Sequence, residues 1–105
     1  MLNNSSIEEG IAISALEHVL DPEIGLSVID LGLIYDLSFD RIKSELAVTM
    51  TLTTEMCPMG ESIARNVESS LKQYFNDYSI IVNLVFEPKW SSDNISEKGK
   101  IILNS

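Results

Sequence analysis

The chain has 105 residues, of which 45% are hydrophobic and 22% charged, and its formal net charge at pH 7 is −9. This length supports one domain with a single modest core, so we predict that residues 1–105 form one domain. The acidity argues against binding to nucleic acid, because phosphate recognition needs clustered Lys and Arg. The chain has no apolar run of membrane-spanning length, no basic and then apolar secretory signal, and too few cysteines for an internal disulfide, so we expect a cytoplasmic protein.

The first predicted element is a helix over about residues 6–20. Ser5 and Ser6 each stand three residues before a glutamate, which is the pattern of a capping box. His18 falls in the last turn, and since the chain has one histidine and one cysteine, we expect His18 to be a surface residue rather than a metal ligand. Helical spacing of apolar residues predicts one buried stripe, made of Ile7, Ile11, Ala15, Leu16, Val19 and Leu20.

A loop over residues 21–25 ends this helix, because a residue before proline avoids helical geometry and glycine tolerates unusual dihedral angles. The loop carries two carboxylates, Asp21 and Glu23. Two carboxylates fall well short of a calcium site, so the residue types alone indicate turn chemistry and solvation.

Two stretches of alternating apolar residues predict an antiparallel hairpin, with strands over 28–39 and 46–52 and a polar turn over 40–44. Gly32 predicts a bulge or a close backbone approach. Asp30 is unusual in a strand, so it either caps a backbone group or lies beside a functional site. The apolar face of the first strand is expected to consist of Ile29, Leu31, Leu33, Tyr35, Leu37 and Phe39. That of the second is expected to consist of Leu46, Val48, Met50 and Leu52.

The second half of the chain predicts a helix after Pro58 that ends near Asn76, then a strand over about 79–87. The tail predicts a short helix over roughly 93–99. The expected apolar stripe of the second helix consists of Ile63, Val67, Leu71, Tyr74 and Phe75.

The order helix–strand–strand–helix–strand predicts an α/β (α+β) two-layer fold, with the helices on one face of a small mixed three-stranded sheet. The other sheet face is rich in threonine but includes Ile34, Ile81 and Val85. Such a face either marks a dimer or partner surface or reflects the scattered apolar exposure that is ordinary in proteins.

The only cysteine, Cys57, lies where the second strand pattern gives way to the second helix pattern. Pro58 suits the first helical position, which makes Cys57 the expected N-cap residue. Unpaired backbone N–H groups and the helix dipole there favour the thiolate, the form that attacks electrophiles and binds soft metals. The alternative is a buried, inert cysteine, but the position at a strand–helix junction favours a functional thiol.

Three segments, taken in order, carry a family resemblance. They are Asp21–Ile24 with Val28–Asp36, then Val48–Thr54 leading into Cys57-Pro58, then Glu87–Trp90 with Ile95–Glu97 beyond it. Together they resemble the metal–sulfur cluster biosynthesis family that includes SufT-like and PaaD-like proteins. The resemblance spans nearly the whole chain and implies one iron–sulfur cluster assembly domain, with an α/β two-layer fold and a role in maturing iron–sulfur proteins rather than an enzyme activity.

The resemblance also implies a set of site residues. It transfers the family's reactive cysteine to Cys57, as functional thiol and metal ligand. It transfers the characteristic acidic positions to Asp21, Glu23 and Asp30. The remaining matching positions, which shape the site, are Thr53, Thr54 and Trp90.

Two functions follow from this resemblance. In the first, the chain is an assembly factor or carrier, and a labile iron–sulfur cluster is bridged between the Cys57 thiolates of a homodimer and completed by small thiols or carboxylates, because a cluster normally needs four ligands. In the alternative, the chain is a cluster-free adaptor that joins assembly machinery or an oxygenase complex to apo-protein clients. Both interpretations name iron–sulfur assembly proteins and apo-protein clients as partners, and neither involves nucleic acid or membrane.

A third interpretation is a thiol enzyme with Cys57 as nucleophile. The only imidazole base, His18, is placed by the sequence at the far end of another helix. Asp30 is a candidate neighbour of the thiol, so spacing alone leaves this interpretation open.

Overall fold

The structure is a computed structural model that describes residues 7–22, 24–53 and 60–104. The predicted order of two helices and three strands is confirmed, and a third helix follows them. None of the described helices combines the length and the apolar character that a membrane crossing requires. The elements are α1 (Ile7–Leu16), β1 (Ile34–Asp40), β2 (Glu45–Met50), α2 (Gly60–Tyr74), β3 (Ser79–Leu84), a 3₁₀ turn (Ser92–Asn94) and α3 (Glu97–Asn104).

The three strands form one mixed sheet in the order β1-β2-β3. β1 pairs antiparallel with β2, as the hairpin prediction required, and β3 pairs parallel with β2. The turn between β1 and β2 is built by Asp40, whose Oδ1 accepts hydrogen bonds from Ile42 N (3.1 Å) and Lys43 N (3.0 Å). This local bonding closes the hairpin at the predicted polar stretch.

One hydrophobic core lies between the sheet and the first two helices, which confirms the two-layer fold. Every second residue of β2 points into it, and the stripe of α2 packs against that row. The core residues that these three elements contribute are Leu46, Val48 and Met50 from β2, Ile63, Val67 and Leu71 from α2, and Ala12, Ala15 and Leu16 from α1.

The predicted stripe of the first helix is confirmed at Ala15, Leu16 and Val19, which are buried. It is wrong at Ile7 and Ile11, which are exposed, while Ala12 is buried instead. The small side chains of Ala12 and Ala15 let α1 approach α2 closely, and Ser70 Oγ of α2 donates a hydrogen bond of 2.9 Å to Ala15 O. Ile11 and Ala12 both lie at helical spacing from Ala15, and close packing selects the smaller of the two.

The predicted end of the first helix at residue 20 is also wrong, because α1 stops at Leu16. The chain after it folds back on itself as an irregular pair of segments. Val28 N donates to Val19 O and Asp21 N donates to Leu26 O, both at 2.9 Å. Leu20, which was expected in the buried stripe, is therefore exposed at an isolated bridge to Ser27.

The first strand was predicted to start at residue 28, but β1 starts at Ile34. The residues before it form a turn in which Leu31 N donates to Ser27 O and Gly32 N donates to Ile29 O, both at 3.0 Å. A register shift between Ile34 and Asp36 then changes which residues face the core. The alternation had predicted Ile34 on the open face of the sheet, but Ile34 is buried in the core.

Other boundaries differ by a few residues. β2 ends at Met50 rather than 52, β3 ends at Leu84 rather than 87, and α2 ends at Tyr74 rather than near 76. The tail helix lies later than predicted, over Glu97–Asn104. Tyr74 is exposed, because Phe75 takes the core position next to it and packs edge-on against Phe39 with ring centroids 5.3 Å apart.

Candidate functional site

The predicted thiol lies in a short connection between β2 and α2. Cys57 and Thr54 belong to residues 54–59, which are outside the described residues, as is Glu23. The N-cap position of Cys57 and the site roles of these three residues therefore stay predictions.

The two ends of that connection are in contact. A Cβ atom added to Gly60, the first residue of α2, would lie 2.6 Å from Leu52 Cδ1. A side chain at residue 60 would therefore displace the terminal methyl of Leu52 or move the start of α2 away from it. The half-buried Thr53 is the last described residue before the connection and Gly60 is the first described residue after it. Leu52 packs against Gly60.

A turn over residues 27–33, which we call the 27–33 turn, lies beside the end of β2. Thr51 N, one residue after β2, donates a hydrogen bond of 2.9 Å to Leu33 O. The turn is held internally by Ser27, whose Oγ accepts from Asp30 N at 3.0 Å. The sequence had suggested that Asp30 caps a backbone group or lies beside a site, and the structure places it, half-buried, within this turn.

Asp30 binds the C-terminal tail. Its Oδ1 accepts a hydrogen bond of 3.0 Å from Ser96 Oγ, and its carbonyl oxygen accepts one of 2.7 Å from Ser96 N. Lys98 Nζ lies 3.8 Å from Asp30 Oδ2 and faces the carboxylate with a positive charge. Asp30 therefore connects the 27–33 turn to the start of α3.

Trp90 binds the same turn one residue further on, because its Nε1 donates a hydrogen bond of 2.6 Å to Leu31 O. Gly32 supplies a third contact, since a Cβ atom there would lie only 2.3 Å from Asn94 O. The predicted close backbone approach at Gly32 is thus confirmed. Of the predicted site residues, Asp30 and Trp90 are brought together on this turn. Thr53 lies two residues after Thr51, whose N–H bonds to Leu33 O of the turn.

Asp21 occupies the neighbouring loop and is 2% exposed. Its Oδ1 accepts from Ile24 N at 3.3 Å and its carbonyl oxygen accepts from Gly25 N at 2.7 Å. These contacts confirm the turn chemistry that the residue types had indicated. The loop leads directly into Ser27, so Asp21 contributes to the support of the 27–33 turn.

Metal-ligating side chains are not grouped in the part of the chain that the structure describes. Within residues 7–22, 24–53 and 60–104, no cluster of three or more His, Cys, Asp and Glu side chains is arranged to hold a metal ion. His18 is exposed on the surface, as predicted.

The sequence interpretation missed three residues that hold this region together. Ser96 links Asp30 to the tail and also caps α3, since its Oγ accepts from Gly99 N at 3.0 Å. Ser27 caps the 27–33 turn, and Tyr35 Oη donates to Pro88 O at 2.7 Å. A serine directly before a helix was a usable signal for Ser96, and Ser27, whose partner Asp30 is three residues away, had a local signal as well. The partner of Tyr35 depends on the tertiary fold.

Comparisons with known proteins agree with this architecture. The profile of the iron–sulfur cluster assembly protein family matches residues 12–78. The chain is 36% identical over 91 residues to the Fe-S protein maturation auxiliary factor YitW of Bacillus subtilis (strain 168), covering 87% of this chain and 88% of that protein. It is 38% identical over 85 residues to the Fe-S protein maturation auxiliary factor SufT of Staphylococcus aureus (strain USA300), covering 81% and 96%.

A crystal structure from Bacillus anthracis, described as a domain of unknown function, has a TM-score of 0.85 and 36% identity to this chain, covering 92% of this chain and 91% of that one. The profile match and the relatives both span most of the described fold, which confirms the resemblance carried by the three sequence segments. The chain belongs to the iron–sulfur cluster assembly protein family.

Proposed function

We propose that this protein is an accessory factor in the maturation of iron–sulfur proteins and that it acts through the thiol of Cys57. The observation that carries the proposal is the contact between Leu52 and Gly60. It anchors both ends of the connection that contains the chain's only thiol, one end on the sheet and the other on α2. Connections whose two ends are fixed on packed elements often carry functional groups.

The cargo of this factor is an iron–sulfur cluster. Such a cluster normally takes four ligands, mostly thiolates, and one chain offers one cysteine. We propose that Cys57 of two copies share the cluster and that small thiols or carboxylates complete it. Transfer is then ligand exchange, in which client thiolates replace the Cys57 thiolates on iron with no change in oxidation state. A cluster with so few protein ligands is labile, as a carrier requires.

The same proposal makes the protein a non-catalytic factor. Its partners are iron–sulfur assembly proteins, which load it, and apo-protein clients, which it supplies. We propose that it works in the cytoplasm, because a free reactive thiol and a labile cluster need a reducing compartment.

Anaerobic reconstitution with iron and sulfide tests the carrier. Wild type should develop a visible charge-transfer band and, on a sizing column with light scattering, elute as a larger species than the unloaded protein. Cys57→Ser should remain colourless with an unchanged circular dichroism spectrum. His18→Ala is the matched control, since it removes the chain's only imidazole and should load like wild type. A band of equal intensity in Cys57→Ser would contradict the carrier.

The second candidate function is the cluster-free adaptor, and the acidity of the chain favours it. A protein with a net charge of −9 attracts basic partners at low ionic strength. In that case an assembly partner should bind with strongly salt-dependent affinity, and Cys57→Ser should bind it equally well. A colourless wild type combined with this binding would replace the carrier with the adaptor.

A further inference from the structure

β3 is an edge strand whose outer side is uncovered in the described structure. It is the last strand in the order β1-β2-β3. Its core-facing residues Ile80 and Val82 are only half-buried, while the corresponding row of β2 is fully buried. Leu84, the third member of this row, is 39% exposed. An added strand would bury more of all three side chains.

The backbone of β3 presents its free hydrogen-bonding groups at these same three residues. At the two ends of the strand, Ser79 N donates to Ser44 O and Val85 N donates to Met50 O, both at 2.8 Å. The odd-numbered residues therefore point their N–H and C=O groups toward β2. Since backbone groups alternate sides along a parallel strand, those of Ile80, Val82 and Leu84 point to the open edge.

β3 also lacks the features that protect an edge strand from pairing. Charged side chains, bulges and covering segments usually provide that protection. β1, the other edge, has all three: exposed Asp36, the register shift that begins at Ile34, and the bond from Tyr35 Oη to Pro88 O. The stretch Ser79–Phe86, by contrast, contains no charged residue and is mostly β-branched or aromatic.

We propose that β3 is a dimer interface, on which β3 of a second copy pairs antiparallel and joins the two sheets into one. The occupant is a second copy because the edge does not repel itself, since the six residues Ser79–Leu84 carry no charge that would face its like across the pair. The outward groups also fit themselves. With Val82 opposite the second copy's Val82, Ile80 lies opposite Leu84 of the second copy, and each of these pairs exchanges two bonds, or about six in all.

Side-chain direction agrees with this register. Residues directly opposite in an antiparallel pair point to the same face. The three outward residues all belong to the core-facing row, so the apolar layer under the helices would continue from one copy into the other. A shift of one residue would place Ile80 opposite Asn83, which belongs to the other face of the sheet. The helices of the two copies would then lie on opposite faces, and the apolar layer would not continue between them.

This pairing is independent of Cys57. Met50 lies beside Leu84 in the sheet, and the antiparallel arrangement puts the two Leu84 residues at opposite ends of the paired strands. The two Cys57 connections, which follow β2, therefore start at opposite ends of the dimer. The apo protein should already pair through β3, and cluster loading through Cys57 should join such pairs into larger assemblies.

Charge placed on the two-fold axis tests the interface. Val82→Lys and Val82→Glu each put like charges directly opposite each other and should be monomeric by light scattering, whereas their mixture should recover the dimer. Ser38→Lys and Ser38→Glu on the exposed face of β1 are the matched controls and should dimerise like wild type. A wild type that stays monomeric up to millimolar concentration, or dimers that persist in both Val82 variants, would overturn the proposal.

Amide hydrogen exchange on the wild type gives a second test that needs no substitution. The amides of Ile80, Val82 and Leu84 should exchange rapidly in dilute protein and slowly in concentrated protein. Those of Ile81 and Asn83 bond to β2 and should be slow in both. Concentration-independent exchange at the three outward amides would overturn the proposal. Protection produced only by an extended peptide from another protein would assign the edge to a partner instead of a second copy.

Both tests use the Cys57→Ser protein as well as wild type, which separates this inference from the proposed function. A β3 dimer that survives in Cys57→Ser supports the inference whatever the cluster does. Loss of pairing in Cys57→Ser would make the dimer cluster-dependent and overturn it. Because each copy carries −9, salt screens the mutual repulsion and should strengthen the pair.

Discussion

Asp30 and Ser96, which are 66 positions apart, share two hydrogen bonds: Ser96 Oγ to Asp30 Oδ1 at 3.0 Å and Ser96 N to Asp30 O at 2.7 Å. One bond uses side chains and the other uses the backbone. Together they fix the start of α3 on the 27–33 turn, which also contacts the end of β2. An acidic position that the family resemblance assigned to the site therefore acts, in the described structure, as the anchor of the C-terminal tail.

Replacement of Asp30 tests this anchor. Asp30→Ala should lower the free energy of unfolding by about 1–3 kcal/mol, because the hydroxyl of Ser96 loses its acceptor and Lys98 loses its negatively charged partner. Asp30→Asn keeps an acceptor and should lose less. Urea unfolding measures both. In a double-mutant cycle, Ser96→Ala should cost little more once Asp30 is alanine, and full additivity of the two changes would contradict the anchor.

Gly32 and Gly25 form a natural pair for a second prediction. Both have positive φ, +72° and +86°, so alanine is strained at either position by about 1–2 kcal/mol. Gly32→Ala should be more destabilising than Gly25→Ala, because its Cβ would also overlap Asn94 O, while a Cβ on Gly25 meets nothing within 4 Å. Urea unfolding gives the two free energies.

The fluorescence of Trp90 shows whether a substitution disturbs the contact between the tail and the 27–33 turn. In Gly32→Ala, displacement of the tail should break the bond from Trp90 Nε1 to Leu31 O and shift the emission of the folded protein. Gly25→Ala should leave the emission unchanged. Equal losses of stability with equal spectra would show that the contact with Asn94 contributes nothing.

Much of the fold was readable from the sequence because period and burial agree there. β2 alternates cleanly and the stripe of α2 is correct at Ile63, Val67 and Leu71, since each element packs against a single neighbouring layer. The sequence failed where two patterns satisfy the same period. Ile11 and Ala12 both fit the helical period of the buried Ala15, and only the distance between α1 and α2 decides which of them is buried.

The region around Asp30 was misread for a different reason. Residues 28–33 alternate like a strand, but their hydrogen bonds return to Ser27 and Ile29 within the turn. Its partners Ser96, Trp90 and Asn94 are more than 50 positions away, so local patterns carry no information about them. The family resemblance nevertheless identified Asp30 and Trp90 as site residues, because a family pattern includes residues that are distant in sequence. The placement of Cys57 stays a prediction.

The stripe of α2 leads to a third prediction. Leu71→Ala removes a fully buried side chain and should cost about 2–5 kcal/mol. Tyr74→Ala, three residues later, should change stability by no more than about 0.5 kcal/mol because Tyr74 is exposed. Thermal or urea unfolding distinguishes the two. A larger loss of stability from Tyr74→Ala would mean that Tyr74 is buried, as the sequence had predicted.

Acid sensitivity follows from a cluster at the far end of α2. Glu8 pairs with Arg41 and accepts a hydrogen bond of 3.2 Å from Tyr78 Oη. The hydrogen bond from Arg41 holds the pKa of the Glu8 carboxyl below its ordinary value of 4.5. A depressed pKa means that the carboxylate stabilises the fold at pH values above 4.5 and that this contribution is lost as the pH falls through the folded-state pKa.

Melting temperatures of wild type and Glu8→Gln test this linkage. Wild type should melt higher at about pH 7, and the difference should shrink and disappear as the pH falls toward about pH 3. Glu68→Gln, which removes an exposed carboxylate of α2, is the matched control and should follow wild type. A difference that stays constant over the whole pH range would mean that Glu8 acts through packing and not through its charge.

The most direct test of the central claim is client maturation in cells that lack this protein. The activity of an iron–sulfur enzyme, normalised to the amount of its polypeptide, should be restored by wild type and by His18→Ala. With Cys57→Ser, the enzyme activity should stay at the level of cells that receive no copy of this protein, although the variant accumulates to the same amount as wild type. Full restoration by Cys57→Ser would contradict a maturation factor that acts through its thiol.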